Sequence, residues 1–370
     1  MCRRYSTSLG VGLLVLLTTI LAGCYPDHPQ STFDASGPVA ESQLTLFYWI
    51  LWAAVIVFIV VGGILLYAII RFRRRAGDQD PPQTHGNTKL EIGWTILPAV
   101  VLAIVAVPTV MTIFDNANSP DPDALTIEVV GHQWWWEFRY HDQPESGKQV
   151  VTSNELHIPV GEVVNLKLDS KDVLHSFWIP KLAGKVDLVP NNENTMWIKA
   201  DDSGVYLGQC AEFCGVAHAL MRFRVIAETR REFDQWVAQE ASSPGDPSDP
   251  LALEGKVLFE GAAECWACHA VTGSKKARGT KGPNLTHVAR RSHILAGIKK
   301  TNQENLIQWL TEPHKIKPGN IMYRDAAVYN DPTKKLKKSE ISALVAYLLT
   351  LKPTEGKNMA ALKYQPGDTE

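Results

Sequence analysis

The sequence has little net charge and few cysteines for its length. Its 370 residues contain 37 Lys and Arg against 39 Asp and Glu, a formal net charge of −2, so the total charge says little about partners. Of the six cysteines, four form two closely spaced pairs, and Cys2 and Cys24 lie near the N-terminus. Pairs of this kind are typical of cofactor sites, so we predict no structural disulfide.

Charge is absent from a long apolar run. Residues 44–70 contain no charged residue and are long enough to cross a bilayer as a helix. Residues 93–114 form a second run, whose Pro98 and Pro108 are tolerable where neighbouring helices satisfy the freed backbone groups. Neither run contains histidine, which excludes a haem ligated by these helices. We predict a two-helix transmembrane hairpin over residues 44–116 that packs on a larger partner.

The N-terminus has the order of a secretory signal, which predicts a signal peptide over residues 1–23. Two arginines precede an apolar run over residues 11–20 that is too short to span a bilayer comfortably. The run ends in Leu21-Ala22-Gly23-Cys24, which resembles a bacterial lipoprotein cleavage site. Cys24 is then the lipidated first residue of the mature protein; the alternative is an uncleaved leader or a third membrane helix. Residues 24–43 are expected to form a flexible connector.

The distribution of Lys and Arg predicts the orientation of the hairpin. Both are missing from residues 25–43 and 115–138. The segment between the apolar runs contains Arg71, Arg73, Arg74, Arg75 and Lys89. The positive-inside rule places that segment in the cytoplasm. We therefore expect a bacterial cytoplasmic (inner) membrane protein whose remaining chain lies on the periplasmic, outer face.

Short apolar runs follow the hairpin, within residues 122–232. They are rich in Val, Leu, Trp and Phe and are separated by turns such as Pro144-Glu145-Ser146-Gly147. This pattern predicts an antiparallel β-sandwich. One run contains three consecutive tryptophans. Because side chains alternate along a strand, Trp134 and Trp136 are expected to share one face and Trp135 to take the other.

Metal-binding side chains are concentrated in residues 209–221, in the order Cys-x3-Cys-x3-His-x2-Met. Thiolates and a thioether are soft ligands and imidazole is borderline, so the set suits copper. Two thiolates on one loop, Cys210 and Cys214, can bridge two copper ions. A second histidine is needed, and His175 is the candidate. The alternatives are a disulfide or a zinc site, although zinc does not explain Met221.

A second cofactor motif lies beyond residues 242–250, whose Ser, Pro, Gly and Asp are typical of a linker. Cys265-Trp266-Ala267-Cys268-His269 matches the c-type haem attachment motif. Each cysteine is expected to form a thioether to the haem, and His269 to ligate the iron. Residues 251–353 are predicted to form a small all-α domain, and residues 354–370 a flexible tail.

The second axial ligand of the iron is predicted to be Met322. Its segment, residues 317–322, resembles the methionine loop of class I c-type cytochromes, although tyrosine rather than the common proline follows Met322. The alternatives are Met359, His287, His293 and His314.

Together, the 209–221 loop, His175 and the run Gly131-His132-Gln133-Trp134-Trp135-Trp136 resemble subunit II of haem–copper cytochrome c oxidases, here with a class I cytochrome c domain at the C-terminus. The resemblance implies a cupredoxin-like sandwich with a binuclear copper centre. The implied ligands are His175, Cys210, Cys214, His218, Met221 and the backbone carbonyl of Glu212.

The resemblance also implies contacts with a catalytic subunit. The Glu212 side chain would ligate a magnesium ion at the boundary with subunit I, and Asp187 would face the same subunit. Trp134 would be the residue where electrons enter near the copper. Because this chain has its own haem domain, the electron donor of Trp134 can differ from that of the family.

The function implied is that of the subunit through which electrons enter a terminal oxidase. Electrons would pass from an external donor, a cytochrome c or similar protein, through haem c and the copper pair to the oxygen-reducing, proton-pumping subunit I. Subunit III and membrane lipid are further expected partners, and nucleic acid is not. The alternatives are the same role in a nitric-oxide-reducing haem–copper enzyme, or a copper-delivery protein, whose usual thioredoxin-like fold the β-rich pattern does not favour. A quinol-oxidase subunit would lack the copper ligands.

Charge divides unevenly between the two regions that carry cofactor motifs. Residues 122–226 contain nine Lys and Arg against 14 Asp and Glu, whereas residues 251–353 contain 17 against eight. Opposite net charges can orient docking. We therefore hypothesise that the basic haem domain docks on the acidic copper domain; the alternative is that its lysines form only a solvated surface.

Overall fold

The computed structural model describes residues 28–141 and 149–353, except residues 76, 78, 80–82 and 84, together with residues 12, 15 and 18. The predicted signal peptide falls largely outside these residues. So do Cys24, Met359 and the tail from residue 354. The predicted domain boundaries therefore stay predictions, and the elements within them are described below.

Two long apolar helices follow the connector: α1 (Pro38–Arg71) and α2 (Thr88–Ala117). Both are long and apolar enough to cross a membrane. Helix α2 begins where the Asn87 side chain accepts hydrogen bonds from the main-chain N–H groups of Lys89 and Leu90. It continues through both of its prolines without a break.

Helix α1 begins before the apolar run, at Pro38, because its first turn lies against the β-domain. Val39 and Ala40 are buried there, and the main-chain N–H of Ala40 donates to the carbonyl of Leu182 at 3.2 Å. The Ser42 hydroxyl lies 3.0 Å from Asn116 Oδ1 of α2. The hairpin is thus joined to the domain that follows it.

The β-domain is a sandwich of two five-stranded sheets, in the orders β3-β2-β1-β5-β8 and β4-β10-β9-β6-β7. The strands are β1 (Leu125–His132), β2 (Trp135–Tyr140), β3 (Val150–Ser153), β4 (Glu155–Pro159), β5 (Val164–Ser170), β6 (His175–Trp178), β7 (Val186–Leu188), β8 (Asn194–Ile198), β9 (Gly204–Cys210) and β10 (Arg222–Glu228). The predicted sandwich is confirmed. Its sheets are mixed, because β1–β5 and β4–β10 pair in parallel, a pairing that requires a crossover connection.

Aromatic side chains from both sheets fill the sandwich. Trp136 lies with its ring centre 5.3 Å from that of Phe177 and 5.4 Å from that of Phe223. Phe177 and Phe223 stack at 4.2 Å. A Cβ at Gly208 would lie 2.2 Å from the ring of Phe223, so this close approach requires glycine. Helix α3 (Arg230–Glu240) closes the domain.

The third region is a bundle of short helices with one small hairpin. The helices are α4 (Pro250–Glu260), α5 (Gln303–Thr311), α6 (Pro313–Ile316), α7 (Ile321–Asp325), α8 (Ala327–Asn330) and α9 (Lys338–Thr350), and the hairpin strands are β11 (His293–Ile294) and β12 (Lys299–Lys300). Helices α4 and α9 cross at Gly255, where a Cβ would lie 1.9 Å from the carbonyl oxygen of Ala343. The sequence did not predict the hairpin.

Candidate copper centre and haem cavity

The two sheets bring the predicted copper ligands together. His175 begins β6, Cys210 ends β9, and the chain returns to β10 through residues 211–221. The loop is closed at its base by a 2.9 Å hydrogen bond from the Cys210 N–H to the Met221 carbonyl. Because the register of β9 and β10 fixes both ends of the loop, its side chains are directed to one place.

Every predicted copper ligand, on the loop or on β6, lies within 4 Å of a cysteine sulfur. Cys210 Sγ lies 3.8 Å from Cys214 Sγ, 3.9 Å from His175 Nδ1 and 3.2 Å from the Glu212 carbonyl. Cys214 Sγ lies 3.6 Å from His218 Nδ1 and 3.8 Å from Met221 Sδ.

The chemistry of this donor set fits a pair of copper ions. Both cysteines are free thiols, so the alternative of a disulfide does not describe this structure. A thioether and two thiolates are soft donors that suit copper, and a zinc site gives no reason for Met221 to point inward. His175, Cys210, Cys214 and Met221 are all buried, which limits the access of water to a bound metal.

A carboxylate holds His175 in place. Asp172 Oδ1 accepts a hydrogen bond from His175 Nε2 at 2.8 Å, and Asp172 Oδ2 accepts one from the Gln133 N–H at 2.6 Å. With Nε2 bonded to Asp172, the imidazole directs Nδ1 toward Cys210 Sγ, 3.9 Å away. Asp172 is not predicted from the sequence, where its only signal is its position three residues before a predicted ligand.

The same contacts shift the ionisation of these groups. Burial by itself would lower the pKa of His175, but the hydrogen bonds to Asp172 and Cys210 outweigh it, and the pKa is raised. The hydrogen bond with Cys214 lowers the pKa of Cys210, and the same pairing raises the pKa of Cys214. One thiol of the pair therefore ionises well before the other.

The side chains of Glu212 and Asp187 are the ones predicted to act at the boundary with subunit I. The Glu212 side chain is half-buried, and Asp187 is exposed on β7, where it pairs in register with Ser176. Phe213, beside Glu212, is 74% exposed. Among the residues that the structure describes, one group of His, Cys, Asp and Glu could hold a metal, and it consists of His175, Cys210 and Cys214. The magnesium role of Glu212 stays a prediction.

The helical domain contains an apolar cavity, and the predicted haem ligands lie on its wall. Cys265 and Cys268 lie on one turn, and His269 and Met322 also line the cavity. Its remaining apolar lining includes Phe259, Leu285, Leu306, Val328, Leu344 and Leu348. Apolar walls with two cysteines and two axial ligands fit a covalently attached haem.

His269 is oriented for iron. Its Nδ1 donates to the Pro283 carbonyl at 2.7 Å, which leaves Nε2 as the acceptor. A side chain at Gly282 would lie 2.6 Å from the imidazole carbon Cε1, so glycine is required there. Burial lowers the pKa of His269, which favours the neutral form that ligates metal.

Of the three histidines that are alternative axial ligands, His287 and His314 do not line the haem cavity. His287 is buried outside the cavity, and its Nε2 lies 3.1 Å from the Ser242 carbonyl. His314 stacks on Tyr323 with ring centres 5.0 Å apart. His293 does line the cavity. Met322 lies on it at the start of α7, a helix capped by Asn320.

The haem cavity is completed by residues of the β-domain. Gln133, Trp134, Trp135 and Asn154 lie on its wall. Trp134 lies in the turn between β1 and β2 rather than in a strand, so the predicted alternation does not decide its direction. Tight turns reorient side chains, and this one brings Trp134 to the boundary between the domains.

Trp134 contacts both candidate sites. Its indole N–H donates to the Cys214 carbonyl at 3.0 Å, and the Gln133 amide donates to the same oxygen at 2.8 Å. Its own carbonyl accepts from Lys317 Nζ at 2.5 Å. Gly319 packs against its ring: a Cβ there would lie 3.1 Å from Trp134 Cη2. Trp134 is 7% exposed.

Two further contacts join the domains. The Glu155 carboxylate accepts hydrogen bonds from the Ser292 hydroxyl and from the His293 N–H, the latter at 3.2 Å. Arg224 Nη1 donates to the Gly297 carbonyl at 3.1 Å. The haem domain therefore docks on the copper domain through a few polar contacts, most of them partly buried. Several of its lysines pair within their own domain, as Lys334 does with Glu264.

Comparison with known families agrees with this architecture. Family models for the transmembrane and the periplasmic domain of cytochrome c oxidase subunit II match residues 28–112 and 125–228. A cytochrome c model matches residues 252–352. The predicted resemblance and the three-part fold class are confirmed by these matches.

Two relatives match this chain in sequence over nearly the whole length of both proteins. Cytochrome c oxidase subunit 2 of Alkalihalophilus pseudofirmus is 39% identical over 348 residues, which cover 92% of this chain and 96% of that protein. The subunit 2 of Bacillus sp. strain PS3 is 40% identical over 359 residues, with the same two coverages. The crystal structure of the periplasmic domain of subunit II of the Bradyrhizobium japonicum cytochrome oxidase is 33% identical over 31% of this chain and 93% of that one, with a TM-score of 0.29.

Proposed function

The chain belongs to the cytochrome c oxidase subunit II family, and on that premise we propose that electrons enter a terminal oxidase through it. Members of the family belong to haem–copper oxidases and work with subunit I. The proposed route runs from an external donor, a cytochrome c or similar protein, to haem c, then to a binuclear copper centre, and then to subunit I. Oxygen reduction and proton pumping belong to subunit I. Subunit III and membrane lipid are the other proposed partners.

The proposed location is the bacterial cytoplasmic membrane, with both cofactor domains on the periplasmic side. The hairpin α1–α2 supports a membrane location. Its basic loop, which begins after Arg71, supports a cytoplasmic position for the connection.

For the copper centre, the proposed ligands are His175, Cys210, Cys214, His218, Met221 and the Glu212 carbonyl. Their mutual distances support this assignment. Copper ions held by these residues would supply one-electron redox chemistry. The sheets hold the ligands in place and Asp172 orients His175, so little reorganisation of this chain accompanies that chemistry.

For the haem, the proposed attachment residues are Cys265 and Cys268, and the proposed axial ligands are His269 and Met322. Haem c supplies one-electron redox chemistry when attached. The position of all four residues on one apolar cavity supports the assignment. Apolar walls exclude water and, with the axial ligands, set the reduction potential.

The observation that carries the proposal is the position of Trp134. It lies on the wall of the haem cavity and donates its indole N–H to the carbonyl of Cys214, a proposed copper ligand. One side chain thus connects the two sites. We propose that Trp134 receives electrons from the chain's own haem domain, since its burial closes it to a soluble donor.

An electron paramagnetic resonance spectrum of the purified, cofactor-loaded complex tests the copper assignment. A seven-line copper hyperfine pattern beside a low-spin haem signal is expected, because one unpaired electron is shared by two copper nuclei. The matched variant Cys214→Ser should give a four-line pattern, typical of a single copper. A four-line or silent copper spectrum in the unaltered protein would refute the binuclear centre.

A second variant tests the route through Trp134. Trp134→Phe keeps an aromatic ring but removes the hydrogen bond to the Cys214 carbonyl. Photoreduction of the haem followed by optical detection of copper reduction should show slower electron transfer than in the unaltered protein. The control Trp266→Phe changes a tryptophan of the haem attachment segment instead. Equal rates for Trp134→Phe and the unaltered protein would contradict the proposed route.

A further inference from the structure

Lys317 is a buried cation on the wall of the haem cavity. Its side chain belongs to the segment between α6 and α7, and the residue is only 4% exposed. The main chain fixes it on both sides: the Lys317 N–H donates to the Pro313 carbonyl at 2.9 Å, and its carbonyl accepts from the Asn320 amide at 2.7 Å. The ammonium group is thus held at a defined place.

The partners of this ammonium do not balance its charge. Its Nζ donates to the Trp134 carbonyl at 2.5 Å, which is a neutral acceptor. An ammonium carries three donors, and burying a charge without a counter-ion is costly. Burial lowers the pKa of Lys317 to about 7.

No carboxylate of the described residues is available to it. Two carboxylates line the cavity, and each already has a cation: Glu264 pairs with Lys334 at 3.0 Å, and Asp325 pairs with Lys281 at 2.6 Å. Lys317 forms no ion pair within 4.0 Å among the residues that the structure describes. Arg291, a half-buried cation on the cavity wall, donates to the Asn284 carbonyl at 2.6 Å.

We propose that Lys317 is the counter-ion of a haem propionate and ties that carboxylate to the main chain of Trp134. The inference rests on the proposed function, because it requires haem c in this cavity. Haem brings two carboxylates into an otherwise apolar space, and an ammonium–carboxylate hydrogen bond is about twice as strong as a neutral one. One lysine then fixes the haem edge against the residue that contacts the copper loop.

This arrangement couples attachment of the haem to docking of the domains. The Lys317 ammonium donates one hydrogen bond to the propionate on the haem side and one to the Trp134 carbonyl on the copper side. If either acceptor is lost, the buried charge is left with fewer partners. Lys317 is therefore a positioning residue for electron transfer as well as a binding residue for haem.

Redox-difference infrared spectroscopy of the intact complex, carrying haem with ¹³C-labelled propionates, tests the proposal. Lys317→Met keeps most of the length of the side chain and removes its charge, so the labelled carboxylate bands should shift. The haem midpoint potential should also fall, by about 59 mV if the ferrous form loses about tenfold in relative stability. Lys317→Arg keeps the charge and should leave the bands closer to those of the unaltered protein.

The control Lys335→Met removes an exposed charge from the same domain and should leave the labelled bands in place. If Lys317→Met fails to accumulate, Lys317→Gln makes the same comparison with a donor but no charge. Unshifted bands in the uncharged variants, or equal shifts in Lys317→Arg, would overturn the proposal while the haem stays attached. A complex whose mass lacks covalent haem would instead refute the proposed function itself.

Discussion

The copper centre and the haem cavity are built in opposite ways. Every proposed copper ligand lies within 4 Å of a cysteine sulfur, and the loop that carries most of them is closed between two paired strands. The proposed haem ligands come from separate segments, with His269 and Met322 on the wall of an apolar cavity. The copper site is thus arranged by the fold, whereas the proposed haem would complete the core of its own domain.

The two domains differ in what fills their cores. In the β-domain, Trp136, Phe177 and Phe223 fill the space between the sheets with protein side chains. In the helical domain, Leu306 and Leu344 belong to the buried core and also line the cavity. A haem in the cavity would add apolar contacts to these side chains, and apolar burial is the main favourable term in folding.

Preventing haem attachment should have the largest effect, and it should destabilise the helical domain but not the copper domain. In the double variant Cys265→Ala/Cys268→Ala, the helical domain loses the group that fills its core, and its helices should unfold. The copper domain should still bind copper. Hydrogen exchange measured by mass spectrometry resolves the two regions. Protection in α4 and α9 equal to that of the loaded protein would contradict the prediction, and copper removal by a chelator provides the reverse control.

Loosening the copper ligands should have a smaller but specific effect. In Asp172→Asn, the acceptor for His175 Nε2 becomes a neutral amide, so the imidazole is less well oriented. Loss of such an outer partner typically costs about 10–100-fold in metal affinity, which a competition titration with a copper chelator measures. The control Asp202→Asn changes an exposed carboxylate in the same domain. Equal affinities for Asp172→Asn and the control would argue against an orienting role.

Two glycine substitutions should have the smallest effects, and each should destabilise only one of the two domains. Gly208→Ala places a Cβ 2.2 Å from the Phe223 ring, and Gly255→Ala places one 1.9 Å from the Ala343 carbonyl oxygen. Overpacking costs about 1–3 kcal/mol of unfolding free energy. Calorimetry should show the first change in the copper domain and the second in the haem domain. Gly204→Ala, with nothing within 4 Å of its Cβ, should change neither. A shift in the wrong domain would refute the assignment of the two packing contacts.

Several features could be predicted from local sequence because their signals are local. The spacing of Cys210, Cys214, His218 and Met221 places four donors on one short loop, and they do lie together. The haem attachment motif needs only five adjacent residues. The membrane runs are recognisable from composition, although α1 begins at Pro38 because its first turn packs on the β-domain.

Other features were beyond local reasoning. Asp172 acts through a contact with His175 that depends on a tight bend before β6. Trp134 was expected to follow strand alternation, but it lies in the turn between β1 and β2. No local pattern indicates that Lys317 would meet Trp134 across the boundary of two domains.

The sequence by itself determined which chemistry this protein carries: two cofactor motifs and a pair of membrane runs, each written in adjacent residues. Only the tertiary structure decided how the two cofactor sites face each other. In the folded protein, Trp134 lies between Cys214 and the haem cavity, and its carbonyl accepts a hydrogen bond from Lys317. Contacts between residues 183 positions apart depend on the packing of whole domains, since no local preference of the chain specifies them.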